Sequence, residues 1–432
     1  MSEEATLDKF SSDDKNDKQQ EEWMRVQLQD IAYKRSNNVD PEEVALDRHV
    51  GLEHIDPNNP IPDWEPLDDL SSTKRRFESG DVLFAKLRPN LEKSAQPDFQ
   101  GVASTDIFPI VGETDINSKW LLYRLSSKAA YDYARRTSAG TRMPRTSWNL
   151  FSNFEFRLPP LPDQRKIATV LYTVDRAIEK TEKIIEQVAR LKKGVAQDLF
   201  RDGLNNGETK QTWLGEIPAD WDLVRFKELI ESSRNGIYKE EDAYGGTTPI
   251  LKMGDMFGEI IFEGGDMEKL EMEQDEIKKY RLNEGDLLFA RRSLNVEGAG
   301  ECTLIGDLDE TTVFESSLIR VRLESEAHPM FFAQYFEGPV GSKSIERIVT
   351  TTTASGIAGS DLKNLLVPKP DKEVQKEIAE KLSLYDTKEV ILEQEKYRFQ
   401  RLKKGLMQDL LSGKVRTTDT NIQVPDEVAQ YG

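Results

Sequence analysis

The string RLKKGVAQDLFRDG, Arg190 to Gly203, returns as RLKKGLMQDLLSG, Arg401 to Gly413. Sliding the chain by 211 residues pairs Gln164 with Gln375, Ile167 with Ile378, Ala168 with Ala379 and Leu171 with Leu382. It also pairs Gly194 with Gly405 and Gln197-Asp198 with Gln408-Asp409, and no gap is needed over about forty residues. A one-residue slip destroys the agreement. A chain of 432 residues built this way has to fold as two related halves.

Both copies read as one long helix. The first follows LPPLPDQRK, where prolines 159, 160 and 162 oppose an earlier start and Asp163 is a candidate cap. Apolar residues then recur at Ile167, Leu171, Val174, Ile178, Ile185, Val188, Val195 and Leu199, with Thr181 in the one gap. Those steps alternate four and three, the spacing of a heptad stripe. The second copy places Ile378, Leu382, Tyr385, Leu392, Phe399, Leu406 and Leu410 in the same frame, with Glu389 and Lys396 interrupting the seam. Each helix is expected to run ~36 residues, roughly 54 Å. Two stripes of equal length separated by a domain point to mutual pairing rather than to two unrelated core helices. Gly194 and Gly405 cost about 1 kcal/mol each in mid-helix, which points to close backbone approach at a crossing or at a partner.

A looser repeat precedes each helix. EEWMRVQLQDI answers ADWDLVRFKELI, pairing Trp23 with Trp221 and Val26 with Val224. SGDVLFAKLRPN, from Ser79, matches EGDLLFARRSLN, from Glu284, each a Gly-Asp turn, an apolar strand and then basic residues. STDIFPI from Ser104 and ESSLIRV from Glu315 follow. The tryptophan-to-Gly-Asp stretch is 57 residues long in the first half and 64 in the second, so the variable parts differ in size. Strand and helix signals intermix within each half.

Chemistry has little to stand on here. Cys302 is the only cysteine, and His49, His54 and His328, the only histidines, show no ligand spacing, so no metal site is expected. There is no phosphate-cradling Gly-Lys-Ser/Thr loop, and GAGECTLIG is too loose for a dinucleotide fingerprint. No Asn-Pro-Pro-aromatic tetrapeptide of the aminomethyltransferase kind occurs. With neither a signal peptide nor an apolar run long enough to span a bilayer, a cytoplasmic protein without membrane contact is expected. The chain holds 59 basic and 78 acidic residues, a formal net charge of −19, which opposes non-specific attraction to nucleic acid. The balance is uneven: residues 1–22 carry net −5, whereas Arg124 to Arg145 carries six basic groups against Asp132.

The motifs LPPLPDQRKIA, the duplicated RLKKG..QDL and WLGEIPADW carry a resemblance to the specificity subunit of type I DNA restriction–modification enzymes. It extends from Trp23 to Gly413. The resemblance implies two target-recognition domains, each reading half of a bipartite site on double-stranded DNA, and two long helices packed antiparallel as a ruler between them. The expected fold class is therefore α+β: two mixed α/β target-recognition domains separated by antiparallel coiled-coil helices, with an internal pseudo-twofold repeat. Expected boundaries are a disordered acidic tail over 1–21, recognition domains over 22–160 and 221–368, and helices over 161–203 and 369–413. A linker over 204–220 and a C-terminal tail over 414–432 complete the chain.

The resemblance further implies no catalysis by this chain. Its partners would be two methyltransferase subunits and a nuclease/translocase, which use S-adenosylmethionine, ATP and magnesium; the chain itself would bind no cofactor. Helix pairing and partner docking are assigned to Ile167, Leu171, Val174, Gly194, Ile378, Leu382, Tyr385 and Gly405. The charged faces at Arg190, Lys192, Lys193, Arg401, Lys403 and Lys404 are added to the docking surface. Because Arg and Lys read guanine and hydroxyls suit phosphate, the DNA-binding candidates in the first domain are Lys86, Arg88, Arg135, Arg136, Arg142 and Arg145. In the second they are Arg291, Arg292, Lys343, Thr352 and Ser355. The competing expectation is a coiled-coil scaffold joining two protein-binding domains.

Overall fold

The computed structural model describes residues 23–57, 60–68, 70–205, 207–258, 260–293, 298–351 and 355–430. The expected acidic tail over 1–21 lies outside them. The described residues form two compact units, one from 23–183 and 394–430, the other from 184–393. This differs from the expected alternation of domain and helix: both long helices, Leu161–Asp202 and Lys372–Ser412, contribute one part to each unit. They have 42 and 41 residues, longer than the sequence pattern indicated. The first begins ahead of Pro162 because a proline in the first turn has no intrahelical acceptor to forgo. Gly203 and Gly413, at φ +71° and +77°, close the two helices in the left-handed turn that glycine adopts without strain.

In the first unit, a four-stranded sheet runs in the order Ala32–Lys34, Ile107–Gly112, Val82–Ala85, Ser94–Ala95. Val82–Ala85 is buried along its whole length, as an apolar strand covered on both faces must be. A second four-stranded sheet contains Lys74–Phe77 and Gly101–Ala103. In the second unit, the corresponding sheet has five strands, ordered Ile230–Asn235, Leu318–Leu323, Leu287–Ala290, Cys302–Ile305 and Ile261–Phe262. Gly80 and Gly285, at φ +87° and +85°, make the turn into the central strand of each unit. The aspartate after each accepts a backbone N–H three residues back, Glu78 to Asp81 at 2.9 Å and Asn283 to Asp286 at 2.8 Å.

The repeat reaches further than the long helices. Ser118–Leu125 and Lys128–Arg136 in the first unit recur as Pro329–Glu337 and Pro339–Glu346, starting 211 residues later. An antiparallel ribbon opens and closes each unit, Met24–Gln27 against Glu155–Leu158 and Asp222–Arg225 against Leu366–Lys369. Its register is the same, with Val26 opposite Phe156 and Val224 opposite Val367.

The paired glutamines explain themselves in these surroundings. Gln164 donates to the Pro159 carbonyl at 3.0 Å and accepts from Asn117 N at 2.9 Å; Gln375 donates to Pro370 at 2.8 Å and accepts from His328 N at 2.7 Å. Both are buried, so the amide satisfies a backbone carbonyl and a backbone N–H that packing has removed from water.

In the first unit, Ile167 and Leu171 share a core with Leu410 and Leu411, the start of one helix meeting the end of the other. In the second, Ala196 and Phe200 share a core with Ile378 and Leu382, again end against start. Val174 is buried and Tyr385 half-buried. An ion pair repeats this exchange: Lys403 meets Asp175 at 2.6 Å in the first unit and Lys192 meets Asp386 at 2.5 Å in the second. These lysines lie one repeat apart, as do the aspartates. Lys192 and Lys403 are half-buried and held in these pairs, which corrects their assignment to an exposed docking face. Gly194 and Gly405 are corrected as well. A Cβ at either position would meet nothing within 4 Å, so neither marks a close backbone crossing within the chain.

The two expected connectors are folded parts of their units. Residues 209–218 form the hairpin Thr209–Thr212 with Gly215–Pro218; its Ile217 is buried, and Arg347 lies 4.3 Å over the Trp213 ring. Beyond Ser412 the chain continues across the first unit. Asn117 Nδ2 donates to the Val428 carbonyl at 2.8 Å, Lys166 Nζ donates to that of Thr418 at 2.8 Å, and Arg416 stacks 4.2 Å over Trp23.

Candidate nucleic-acid interface

In each unit the candidate cations gather where the central strand leaves the sheet. Lys86 follows Val82–Ala85, and a hairpin closed by the Ala139 and Arg145 backbones, 3.0 Å in both directions, docks beside it. Thr146 N donates to the Lys86 carbonyl at 3.1 Å and Arg88 N to that of Pro144 at 2.7 Å. Gly140, at φ +101°, turns the hairpin and leaves Arg142 at its exposed tip. In the second unit the same frame recurs: Arg291 follows Leu287–Ala290, Ile357 N donates to the Arg291 carbonyl at 3.0 Å, and Ser293 pairs with Ser355. Thr352 lies outside the described residues.

The electrostatics of the two frames differ. In the first, Arg145 grips Asp106 with two hydrogen bonds of 2.9 and 3.1 Å, and Lys86 stands 3.8 Å from the same carboxylate. The Arg145 guanidinium holds the Asp106 carboxyl below its usual range, while burial pulls the Lys86 ammonium down. Arg135 is tied to Asp132 and to Glu92, the latter at 3.0 Å. Arg88, Arg136 and Arg142 are exposed with no carboxylate partner among the described residues, Arg136 lying over the Tyr133 ring.

In the second unit, a cleft of about 750 Å³ is lined by Arg234, Asn235, Arg291, Arg292, Ser355 and Lys363. None of its four cations meets a carboxylate among the described residues. Arg234 lies 5.8 Å over Tyr280, and Arg291 donates to the Ser316 carbonyl at 3.4 Å. Lys343 is exposed on Pro339–Glu346 and does not line the cleft. Arg234, Asn235 and Lys363 escaped the sequence reading. The available signal was SSRNG at the end of a strand, a polar run too short to separate from an ordinary turn.

The histidines need a correction. His49 and His54 converge on Glu65, His49 Nδ1 at 2.8 Å and His54 Nε2 at 3.9 Å, although their sequence spacing gave no sign of it. Gly51 N donates to His54 Nδ1 at 2.9 Å, so the proton of the neutral ring sits on Nε2, facing Glu65. The arrangement is a carboxylate held between imidazole N–H groups. A metal ion at His54 Nε2 would need that proton removed and the Gly51 contact broken.

A family model described as the type I restriction modification DNA specificity domain matches the chain twice, over residues 20–190 and 218–398. The type I restriction enzyme MjaVIII specificity subunit of Methanocaldococcus jannaschii is 27% identical over 334 residues, which cover 74% of this chain and 76% of that protein. A solved structure described as the type I restriction-modification system S subunit from M. genitalium has a TM-score of 0.53 at 12% identity. That alignment covers 90% of this chain and 96% of the other. A chain from a structural study of complex assembly and conformational transition in the type I R-M system has a TM-score of 0.54 at 19% identity, covering 91% and 98%.

Proposed function

The chain belongs to the type I restriction modification DNA specificity family, and on that premise we propose that it is the DNA-recognition subunit of a type I restriction–modification complex. Each unit reads one half of a bipartite duplex site. The two long helices, paired antiparallel as a coiled coil, hold the readers at a set separation, because helices keep distance better than loops. Half-sites read from one face of DNA lie about one turn, roughly 34–36 Å, apart.

The observation that carries this reading is the repeated frame: in both units a central strand and a segment docked beside it bring basic side chains to one end of the sheet. Lys86, Arg88, Arg142 and Arg145 act there in the first reader, and Arg291, Arg292 and Ser355 in the second; Arg135, Arg136 and Lys343 are flanking contacts. Docking of two methyltransferase subunits would use the exposed faces of the long helices around Gly194 and Gly405, with Arg190, Lys193, Arg401 and Lys404. A nuclease/translocase would join for restriction. S-adenosylmethionine, ATP and magnesium belong to those partners, and this chain acts by binding.

Exchange of residues 22–157 for the matching segment of another family member, followed by mapping of methylated adenines in the assembled complex, tests the reading. One half of the modified site should change and the other persist. A swap that altered both halves, or neither, would refute independent readers.

A further inference from the structure

The two readers occupy equivalent frames, yet their charges are arranged differently, and one position accounts for much of the difference. Lys86 N donates to the Asp106 carbonyl at 2.9 Å, and Arg291 N donates to the Ser317 carbonyl at 2.7 Å. Asp106 and Ser317 are therefore the same structural position, one repeat apart. In the first unit its carboxylate pairs with Arg145 and stands 3.8 Å from Lys86, offsetting one of their two positive charges. In the second a hydroxyl stands there, and Arg291 has no carboxylate to meet among the described residues.

Around it Arg234, Arg292 and Lys363 line the same cleft together with Asn235 and Ser355, and no acidic side chain lines it among the described residues. Four like charges facing one concavity repel each other across a low-dielectric wall. An anion with several oxygens at fixed spacing relieves that repulsion, as successive phosphates of a duplex backbone do. A monovalent anion would satisfy one cation and leave the others.

We propose that this cleft is the chain's principal phosphate-contact site for duplex DNA, and that the residue at the Asp106/Ser317 position sets the inequality between the readers. The inference rests on the DNA-recognition reading above. The second unit supplies most of the salt-dependent attraction, and Asn235, whose amide matches the paired donor and acceptor of adenine, contacts a base at the edge of the cleft. The first unit gives up its own Asp106 contacts only when a half-site replaces them.

The test uses the full chain and a fluorescent duplex of about 30 base pairs with randomised sequence, titrated between about 50 and about 200 mM KCl. Arg292→Ala and Lys363→Ala should each weaken binding evenly across sequences and lower the logarithmic salt slope by about 1. Ser317→Asp should lower it similarly by giving Arg291 an internal partner, and Asp106→Ser should raise it. Arg88→Ala, in the first unit, should move the slope less than Arg292→Ala. Asn235→Ala should leave the slope unchanged and relax one adenine of the modified site in the assembled complex. Thermal unfolding of each variant separates loss of contact from loss of fold, and the two cleft alanines stand if Ser317→Asp fails to fold. If the wild-type chain binds duplex with a slope that Arg292→Ala, Lys363→Ala and Ser317→Asp leave untouched, the cleft assignment is overturned while DNA recognition survives. If neither the wild-type chain nor its complex with methyltransferase binds any duplex, both fall together.

Discussion

Each unit buries the aspartate of its Gly-Asp turn and clamps it with a guanidinium, but the guanidinium comes from a different strand. Arg35, just past Ala32–Lys34, binds Asp81 at 2.5 and 3.1 Å; Arg322, on Leu318–Leu323, binds Asp286 at 2.8 Å through both nitrogens. The electrostatic requirement is preserved while the residue that meets it moves to a neighbouring strand. A buried carboxylate needs a partner wherever the fold can provide one. In the second unit this arrangement leaves Arg234, on the edge strand, without the aspartate and lining the cleft. The scaffold tolerates such exchanges because the three strands involved lie in the same order in both units, Ala32–Lys34, Ile107–Gly112 and Val82–Ala85 in one and Ile230–Asn235, Leu318–Leu323 and Leu287–Ala290 in the other. The surface does not, since moving one cation changes what it can bind.

The largest expected effect tests whether the two cores are equivalent. Leu171→Asp and Leu382→Asp each place a charge at a fully buried position, in the first and second unit respectively. Each should cost more than about 4 kcal/mol and abolish cooperative unfolding of its own unit first. Hydrogen exchange resolved along the chain checks this, and equal loss of protection in both units would break the comparison.

The paired lysines sharpen it. Asp175 accepts the buried Tyr123 hydroxyl at 2.6 Å as well as meeting Lys403, whereas Asp386 meets Lys192 and a Gln334 amide at 3.3 Å. Asp175→Ala should therefore cost about 3–5 kcal/mol and Asp386→Ala less, because breaking a buried pair strands the remaining charge. Chemical denaturation of the two variants reads the difference, and a reversed order would contradict it.

Removing residues 414–432 touches one unit only. It strips the acceptor from Asn117, uncovers Trp23 and removes the buried Val428, so the first unit should lose about 2–4 kcal/mol while the second is unchanged. Unit-resolved hydrogen exchange again decides.

The smallest effect is shared by the units. Gly194→Ala and Gly405→Ala should each stabilise the chain by about 1 kcal/mol, since both are exposed mid-helix with open space at the Cβ position. If partner subunits approach the helices there, the same substitutions should weaken co-purification with the methyltransferase. Stabilisation with unaltered assembly would remove these glycines from the docking surface.

Much of the architecture was legible because it is written in short-range periodicity. The heptad steps from Ile167 and Ile378, the terminal glycines and the shared spacing of 211 are local properties of the chain, and helix and repeat followed from them. Lys192 and Lys403 were misread for the opposite reason. A lysine on a helix looks solvated until the partner helix, some two hundred residues away, presents Asp386 or Asp175. The site was legible in the same partial way: a basic residue after the Gly-Asp strand marked Lys86, Arg291 and Arg292, but nothing local joined them to Asp106, Arg234 or Lys363.

By itself, then, the sequence determined that this protein is a duplicated α+β chain with two long helices, because hydrophobic spacing and backbone sterics act over a few residues. Only the tertiary structure decided which halves of those helices share a core, that residues 414–430 belong to the first unit, and which cations keep their charge for a ligand. Ion pairing depends on distances of a few ångströms between residues far apart in the chain, and the folded sheets alone set those distances.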